Sequence, residues 1–335
     1  MRHQIHLPLR RARRIFWPVL GVAGVGFAIV GSHFDLGRTL RLAAHVNLGD
    51  YTAALAVFYL ASLLRASRWR MLLRNAGERT GLATDWQALM LGWLVNGLIP
   101  AKTGDLYRAQ LLGRRYPIPI SKTLGTIVLE RVVDFAVMFV LLAGGALVLF
   151  RGRLPAPFGS VLAGTSGVLT LLVLAILVSR LFRWDMWGHL PAGLERITGR
   201  FRAGFVVAPG TLPLLAGITL VLWLTEGARL YLVLHALALP SFSLVQVLLV
   251  ALAGSALTGV PGLPGGAVLV EGGIVATLAY FGLCSSAALS VAILDRGINY
   301  WSVLLLGMVM LAASRPLCRS WLKRLRPHPA PQRRP

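Results

Sequence analysis

The charged residues of this chain gather in short groups inside stretches that are otherwise apolar, and their spacing points to a chemistry. The first group is NGLIPAKTGDLYR (96–108), which places Pro100, Lys102, Gly104, Asp105 and Arg108 within nine positions. Pro100 has no N–H to donate and Gly104 supplies a flexible turn, so a helix breaks here. A half-helix starting near Gly104 presents free N–H groups and the positive end of its dipole. Lys102 and Arg108 add full positive charge, and Asp105 caps or partners them. This is an environment for an anion. The segment TGVPGLPGGAVLVEGG (258–273) repeats the backbone half of the device through Pro261, Pro264, Gly265 and Gly266, with Glu271 as its acid.

A second kind of group lies on unbroken apolar segments. Glu130, Arg131 and Asp134 fall within about 100° of helical arc. Together they would cost roughly 8–10 kcal/mol facing lipid, at about 2.5–3.5 kcal/mol each, so they must point into a protein interior. Asp295, Arg296 and Asn299 repeat this geometry, and Glu226 and Arg229 lie about 60° apart on another helix. Arginine at 68, 131, 229 and 296 suits bidentate recognition of a phosphate or other anionic headgroup. The alternative is that buried pairs such as Glu130–Arg229 or Arg131–Asp295 only tie helices together. No Gly-rich nucleotide loop, metal-ligand set or Ser/His or Cys/His nucleophile pairing is present, so neither cofactor nor metal is expected.

The elements that carry these groups follow from composition. The chain has 335 residues, 56% hydrophobic and 14% charged, with mean hydropathy +0.70; soluble domains carry about 25% charged residues. Crossing hydrocarbon takes about twenty apolar residues. Full crossings are expected at 15–33, 51–73, 122–150, 157–182, 207–237 and 284–313, and apolar regions 84–112 and 243–282 are interrupted by Pro and Gly. The predicted fold class is all-α: a polytopic integral membrane helical bundle with six full spans and two broken re-entrant hairpins. The net charge of +22 comes from 31 arginines and three lysines, mostly at segment ends. That pattern sets topology and contacts an anionic membrane surface, rather than nucleic acid.

Positive charge also chooses orientation. Arg10, Arg11, Arg13 and Arg14 place the basic N-terminus (1–14) in the cytoplasm, and Arg65, Arg68, Arg70, Arg74 and Arg79 do the same for the end of the second span. A full crossing at 84–100 would put Lys102, Arg108, Arg114, Arg115 and Lys122 outside, so 84–112 is expected to enter and return. Arg38, Arg41, Arg151 and Arg153 are external exceptions. Residues 183–206, with Trp184 and Trp187, suit an interfacial segment, and 314–335 a basic Pro-rich cytoplasmic tail. Cys284 and Cys318 flank the last span and imply no disulfide framework. The expected location is the cell inner membrane, with both termini cytoplasmic.

Comparing the chain with itself reveals a repeat. VLERVVDF (128–135) matches ILDRGINY (293–300) at an offset of 165. At offset 161, Pro100 maps to Pro261, Gly104 to Gly265, Arg68 to Arg229 and RASR (65–68) to EGAR (226–229). One unit over 51–150 thus recurs over 211–313 within a single transmembrane domain, 15–313. An odd number of crossings between the copies makes the second inverted, an arrangement found in transporters.

NGLIPAKTGDLYRA, LGTIVLERVVDF, VPGLPGGAVLVEGG and AILDRGINYW together resemble the characteristic segments of the lysylphosphatidylglycerol synthetase transmembrane (flippase-domain) family, over roughly 15–313. The resemblance implies movement of a lipid between leaflets. Pro100, Lys102, Gly104, Asp105 and Arg108 match its first hairpin motif, Glu130, Arg131 and Asp134 its middle motif, and Pro264, Gly265, Gly266 and Glu271 its second. Val268 stands where that motif often has Gly. The soluble aminoacyl-transferring domain of the two-domain members has no counterpart after Ala313, so lysine transfer is not expected from this chain alone.

The expected function is therefore a lipid translocator, not an enzyme. Its cargo would be a phospholipid, polyprenyl phosphate or hopanoid-type lipid, held in a central charged cavity between gating hairpins. The alternatives are a membrane-embedded headgroup-modifying enzyme, with Glu130 and Asp134 as general bases, and an accessory scaffold with a lipid-biosynthesis protein partner.

Overall fold

The structure, a computed structural model, describes residues 35–99, 103–151, 155–181, 192–205, 207–258, 264–266 and 268–313. The expected first span, both terminal segments, Pro100, Lys102 and Pro261 lie outside the described residues. Every described regular element is helical.

Short α1 (Leu36–Ala44) is followed by α2 (Leu48–Asn75), which starts where the Asn47 side chain accepts from the Gly49 N–H at 2.8 Å. The hairpin α3 (Leu82–Leu98) and α4 (Gly104–Arg115) leads to α5 (Ile120–Phe150). After α6 (Ala156–Leu181) come α7 (Ala192–Phe205) and α8 (Leu212–Ala236). A second hairpin, α9 (Leu244–Leu257) and α10 (Leu269–Tyr280), precedes α11 (Ser285–Ala313).

These bounds match the expected segments closely, and both interrupted regions are broken helices. Ile99 is extended (φ −121°, ψ 130°), as a residue before proline must be, because the ring of Pro100 crowds the α conformation. In the second hairpin α9 starts from a capping box between Ser243 and Gln246. Val268, just before α10, has φ 70°. That conformation strains a β-branched side chain and explains why glycine suits this position. Sequence reading gave no helix at 36–44. A nine-residue helix is too short to show clear periodicity, but the Asp35 side chain caps it and Ser290 bonds its Thr39 carbonyl at 3.1 Å.

By length and composition α5, α8 and α11 can each cross a membrane, and α1 with α2, bent by 85°, forms a fourth candidate. Their outer faces carry exposed Leu60, Val140, Val148, Leu214, Leu305 and Val309, surface that hydrocarbon would cover. The packing joins the two ends of the chain. α2 lies along α8, α3 packs on α11, and α9 packs on α5. Short α1 rests on α11, and α7 rests on α5.

The limbs of the first hairpin touch through glycine. A Cβ on Gly104 would lie 1.9 Å from the Gly92 carbonyl oxygen and 2.6 Å from Asn96 Oδ1, so any side chain there must push α3 and α4 apart. Gly104→Ala is expected to destabilise the protein by about 1–3 kcal/mol, the usual cost of overpacking. The measurement is the denaturation midpoint of purified protein in detergent.

Candidate functional site

Six helices bring three groups of ion pairs together around one cavity. α2 contributes Arg65 and Arg68, α4 Asp105 and Arg108, and α5 Glu130, Arg131 and Asp134. From the other end of the chain, α8 contributes Glu226 and Arg229, α10 Glu271, and α11 Asp295 and Arg296. Each acid in this set pairs with at least one arginine.

Arg68 has no exposed surface. Its Nη1 donates to Asp134 Oδ1 at 2.5 Å and Thr219 Oγ1 at 2.7 Å, and its Nη2 to Glu130 Oε1 at 2.8 Å. Arg108 reaches the other Glu130 oxygen at 2.6 Å, with its guanidinium 4.6 Å over the Trp69 ring. Arg131 donates to both Asp105 oxygens at 3.3 Å.

The second half of the network follows the same plan. Arg229 donates through Nε to Asp295 Oδ1 at 2.8 Å and also pairs with Glu226. Arg296 donates through Nε to Glu271 Oε1 at 2.7 Å. Arg68–Asp134 and Arg229–Asp295 each span 66 residues. Arg131 meets the acid in the first turn of α4, and Arg296 meets the acid in the first turn of α10. Arg65 joins the halves, bonding Glu226 at 2.6 Å.

The cross-pairs Glu130–Arg229 and Arg131–Asp295, offered as examples of the helix-tying alternative, do not form. Glu130 is held by Arg68 and Arg108, Arg131 by Asp105, and Asp295 by Arg229. The reason is register: α8 also packs on α5, but it brings Trp223 to the Asp134 carbonyl and places Arg229, six residues on, at Asp295. The N–H of Gly104 is also not free, because Asn96 Oδ1 accepts it at 2.8 Å.

A cavity of about 270 Å³ opens beside the network, lined by Arg65, Arg131, Arg229 and Arg296 and by Asp134, Glu226 and Asp295. Four arginines and three carboxylates line the wall, and the whole set, with six arginines and six acids, is balanced. Phe58, Met138 and Trp223 supply apolar surface, and Gly265 and Gly266 of the second hairpin complete the lining. The Arg131 side chain is 32% exposed, against 0% for Arg68 and 1% for Arg108.

The predicted residues thus divide. Arg131, Asp134, Glu226, Arg229, Asp295 and Arg296 reach the cavity, whereas Arg68, Arg108 and Glu130 are sealed behind it, and Asp105 and Glu271 hold two of its four arginines, Arg131 and Arg296. Pro264 belongs to the tight turn 264–266. Among the described residues no group of three or more His, Cys, Asp or Glu could hold a metal.

Sequence reasoning missed Arg65, Asn96, Tyr300 and Asp85. The signal for Arg65 was present, since it lies 161 positions before Glu226, its own partner. Asp85 is fully buried and accepts from Thr80 Oγ1 at 2.7 Å; a lone acid near a helix start gave no such sign.

A bundle of long apolar helices around paired buried charges and a polar cavity defines a multi-pass helical membrane protein. The chain belongs to the family described as the lysylphosphatidylglycerol synthase TM region, which it matches over residues 15–307. It is 33% identical over 218 residues to a UPF0104 membrane protein of Methanocaldococcus jannaschii, covering 64% of this chain and 92% of the relative. A Pyrococcus horikoshii UPF0104 membrane protein is 22% identical over 316 residues, 84% of this chain and 91% of its own. A third, from Methanothermobacter thermautotrophicus, is 22% identical over 286 residues, covering 77% and 83%.

Sealed and open arginines should respond differently to mutation. Removing a partner from a buried ion pair costs about 3–5 kcal/mol, whereas an exposed pair contributes about 0–1 kcal/mol. Arg68→Met is therefore expected to lower stability by about 3–5 kcal/mol. Arg131→Gln should cost less, because its side chain is 32% exposed and Asp105 keeps Arg108 at 3.5 Å. Denaturation of the two purified variants side by side gives the comparison.

Proposed function

We propose that the chain is a lipid translocator that carries an anionic headgroup through its central cavity while the lipid tail stays in hydrocarbon. One observation carries this reading: Arg131 and Arg296, from opposite halves of the chain, line the same cavity. A guanidinium pairs bidentately with phosphate more strongly than with neutral groups. Arg131, 32% exposed, leaves part of a guanidinium for an anion, and the apolar walls suit the start of an acyl or prenyl chain. The name of the family links it to a lipid synthase, and the relatives are named as membrane proteins.

In this reading the bundle is an inverted repeat of six full spans and two re-entrant hairpins, in the inner membrane with both termini cytoplasmic. The matched pairs Arg68–Asp134 and Arg229–Asp295, and the reciprocal packing of each hairpin on the opposite half, support it. Repeats of this kind alternate access by moving one half against the other around a shared site. A catalytic reading is weaker. Asp134 and Glu130, the candidate general bases, are held by Arg68, and a carboxylate so held is a poor base.

The near balance of charge favours one second reading, that the network ties together an accessory subunit of a lipid-synthesis complex. Swapping Arg229 and Asp295 would then preserve function.

The test is reconstitution in vesicles carrying a fluorescent phosphatidylglycerol, with external dithionite reporting transfer between leaflets. Wild-type protein is expected to speed transfer over empty vesicles. Arg131→Gln and Arg296→Gln should each slow it about tenfold or more, the equivalent of one charge-assisted hydrogen bond. Lysine at either position should restore only part of the rate, since an ammonium lacks the planar fork. Wild-type rates in both glutamine variants would remove the cavity from the mechanism.

A further inference from the structure

Tyr300 carries no charge, yet it touches both hairpins. It lies in Gly297–Trp301, a widened π turn inside α11, and such turns often mark functional positions. Its hydroxyl donates to the Gly97 carbonyl, near the end of α3, at 3.0 Å. Its ring lies against Gly265 of the second hairpin, where an added Cβ would stand 2.4 Å from a ring carbon. Gly265 has φ 58°, which glycine adopts without strain.

Arg296 completes the connection. Its guanidinium lies 4.7 Å over the Tyr300 ring, and its Nη2 donates to the Gly265 carbonyl at 2.8 Å. One hairpin is thus held through the hydroxyl, and the other through the ring and the arginine stacked on it. Gly97, Gly265, Arg296 and Tyr300 all line the cavity. In the other half, the matched string VLERVVDF puts Phe135 where ILDRGINY has Tyr300. Phe135 also lines the cavity, but with no hydroxyl it cannot make the equivalent bond. The tie exists on one side only.

We infer that Tyr300 is a latch joining the two hairpins, and that an anionic headgroup in the cavity releases it by drawing Arg296 off the Gly265 carbonyl. The trigger rests on the translocator reading; the latch itself does not. A phosphate can accept two parallel bonds from a guanidinium and carries the opposite charge, whereas the neutral Gly265 carbonyl accepts one. The headgroup therefore binds the released state better, which is the condition for a ligand to shift a conformational equilibrium. Once Arg296 leaves, the turn at Gly265 keeps its packing against the ring, and the limbs α9 and α10 keep theirs on α5, α8 and α11.

The experiment measures cavity access rather than transport. Full-length protein with Cys284→Ser, Cys318→Ser and Ser255→Cys, the last on the cavity wall, is placed in phosphatidylcholine vesicles with or without phosphatidylglycerol. Labelling by a membrane-impermeant maleimide is timed. Tyr300→Phe keeps the ring and removes one hydrogen bond, so labelling should rise about 2- to 10-fold. Phosphatidylglycerol should speed labelling when Tyr300 is present and add little in Tyr300→Phe. Tyr59→Phe is the control, because its hydroxyl bonds Ser302 at 2.9 Å on the same helix without reaching a hairpin; no rise is expected. Unchanged labelling in Tyr300→Phe, or an equal rise in Tyr59→Phe, overturns the latch whatever the lipid does. A rise in Tyr300→Phe with no response to phosphatidylglycerol overturns the trigger. The expected labelling pattern without lipid transfer in any variant supports the latch and rejects the translocator reading.

Discussion

The guanidinium of Arg68 is the constraint on which the rest of this structure depends. It is charged, wholly buried, and bonded at once to Glu130 and Asp134 of α5 and Thr219 of α8. Taking a charge out of water costs several kcal/mol, and only close partners with good geometry offset that cost. The helix carrying Arg68 therefore has few acceptable positions, and α5 and α8 must meet it in one register. In hydrocarbon this matters more than in water, because apolar helix faces gain little by preferring each other to lipid. Arg229 imposes the same demand at the other end of the chain through Asp295.

From that constraint the cavity follows. Arginines fully enclosed by helices, Arg68 and Arg108, are spent on holding the bundle. Arg131 and Arg296 sit where a hairpin, not a full helix, closes the wall, and a hairpin leaves irregular backbone that must line a cavity or be buried in protein. Each of these two arginines is met by an acid from the first turn of a half-helix. The wall thus carries guanidinium groups held in place by acids, with Arg131 still 32% exposed and Arg296 7%. Val268, strained at positive φ beside the second hairpin, is tolerable because the tight turn and α10 on either side determine its backbone.

Much of this was legible without coordinates. The interrupted segments at 84–112 and 243–282 are broken helices because proline and glycine act locally. The long segments at 122–150 and 157–182 appear nearly unchanged as α5 and α6, because apolar length is a local property too. The identity of the buried charges was equally clear. Their partners were not: Glu130 turned to Arg68 and Arg108 rather than Arg229. Periodicity gives the direction of a side chain around its own helix, but neither its depth nor the helix it faces. Arg65 and Tyr300 were visible in matched strings, yet their roles depend on α8 and on the two hairpins.

The sequence by itself determined that this is a helical membrane protein, where its helices break, and which ionisable groups must face inward. Each of these follows from the absence of hydrogen-bonding partners in hydrocarbon. Only the tertiary structure decided which acid each arginine pairs with and which of these pairs line the cavity, and that one tyrosine bridges both hairpins. Those outcomes depend on which helices become neighbours, and at what register.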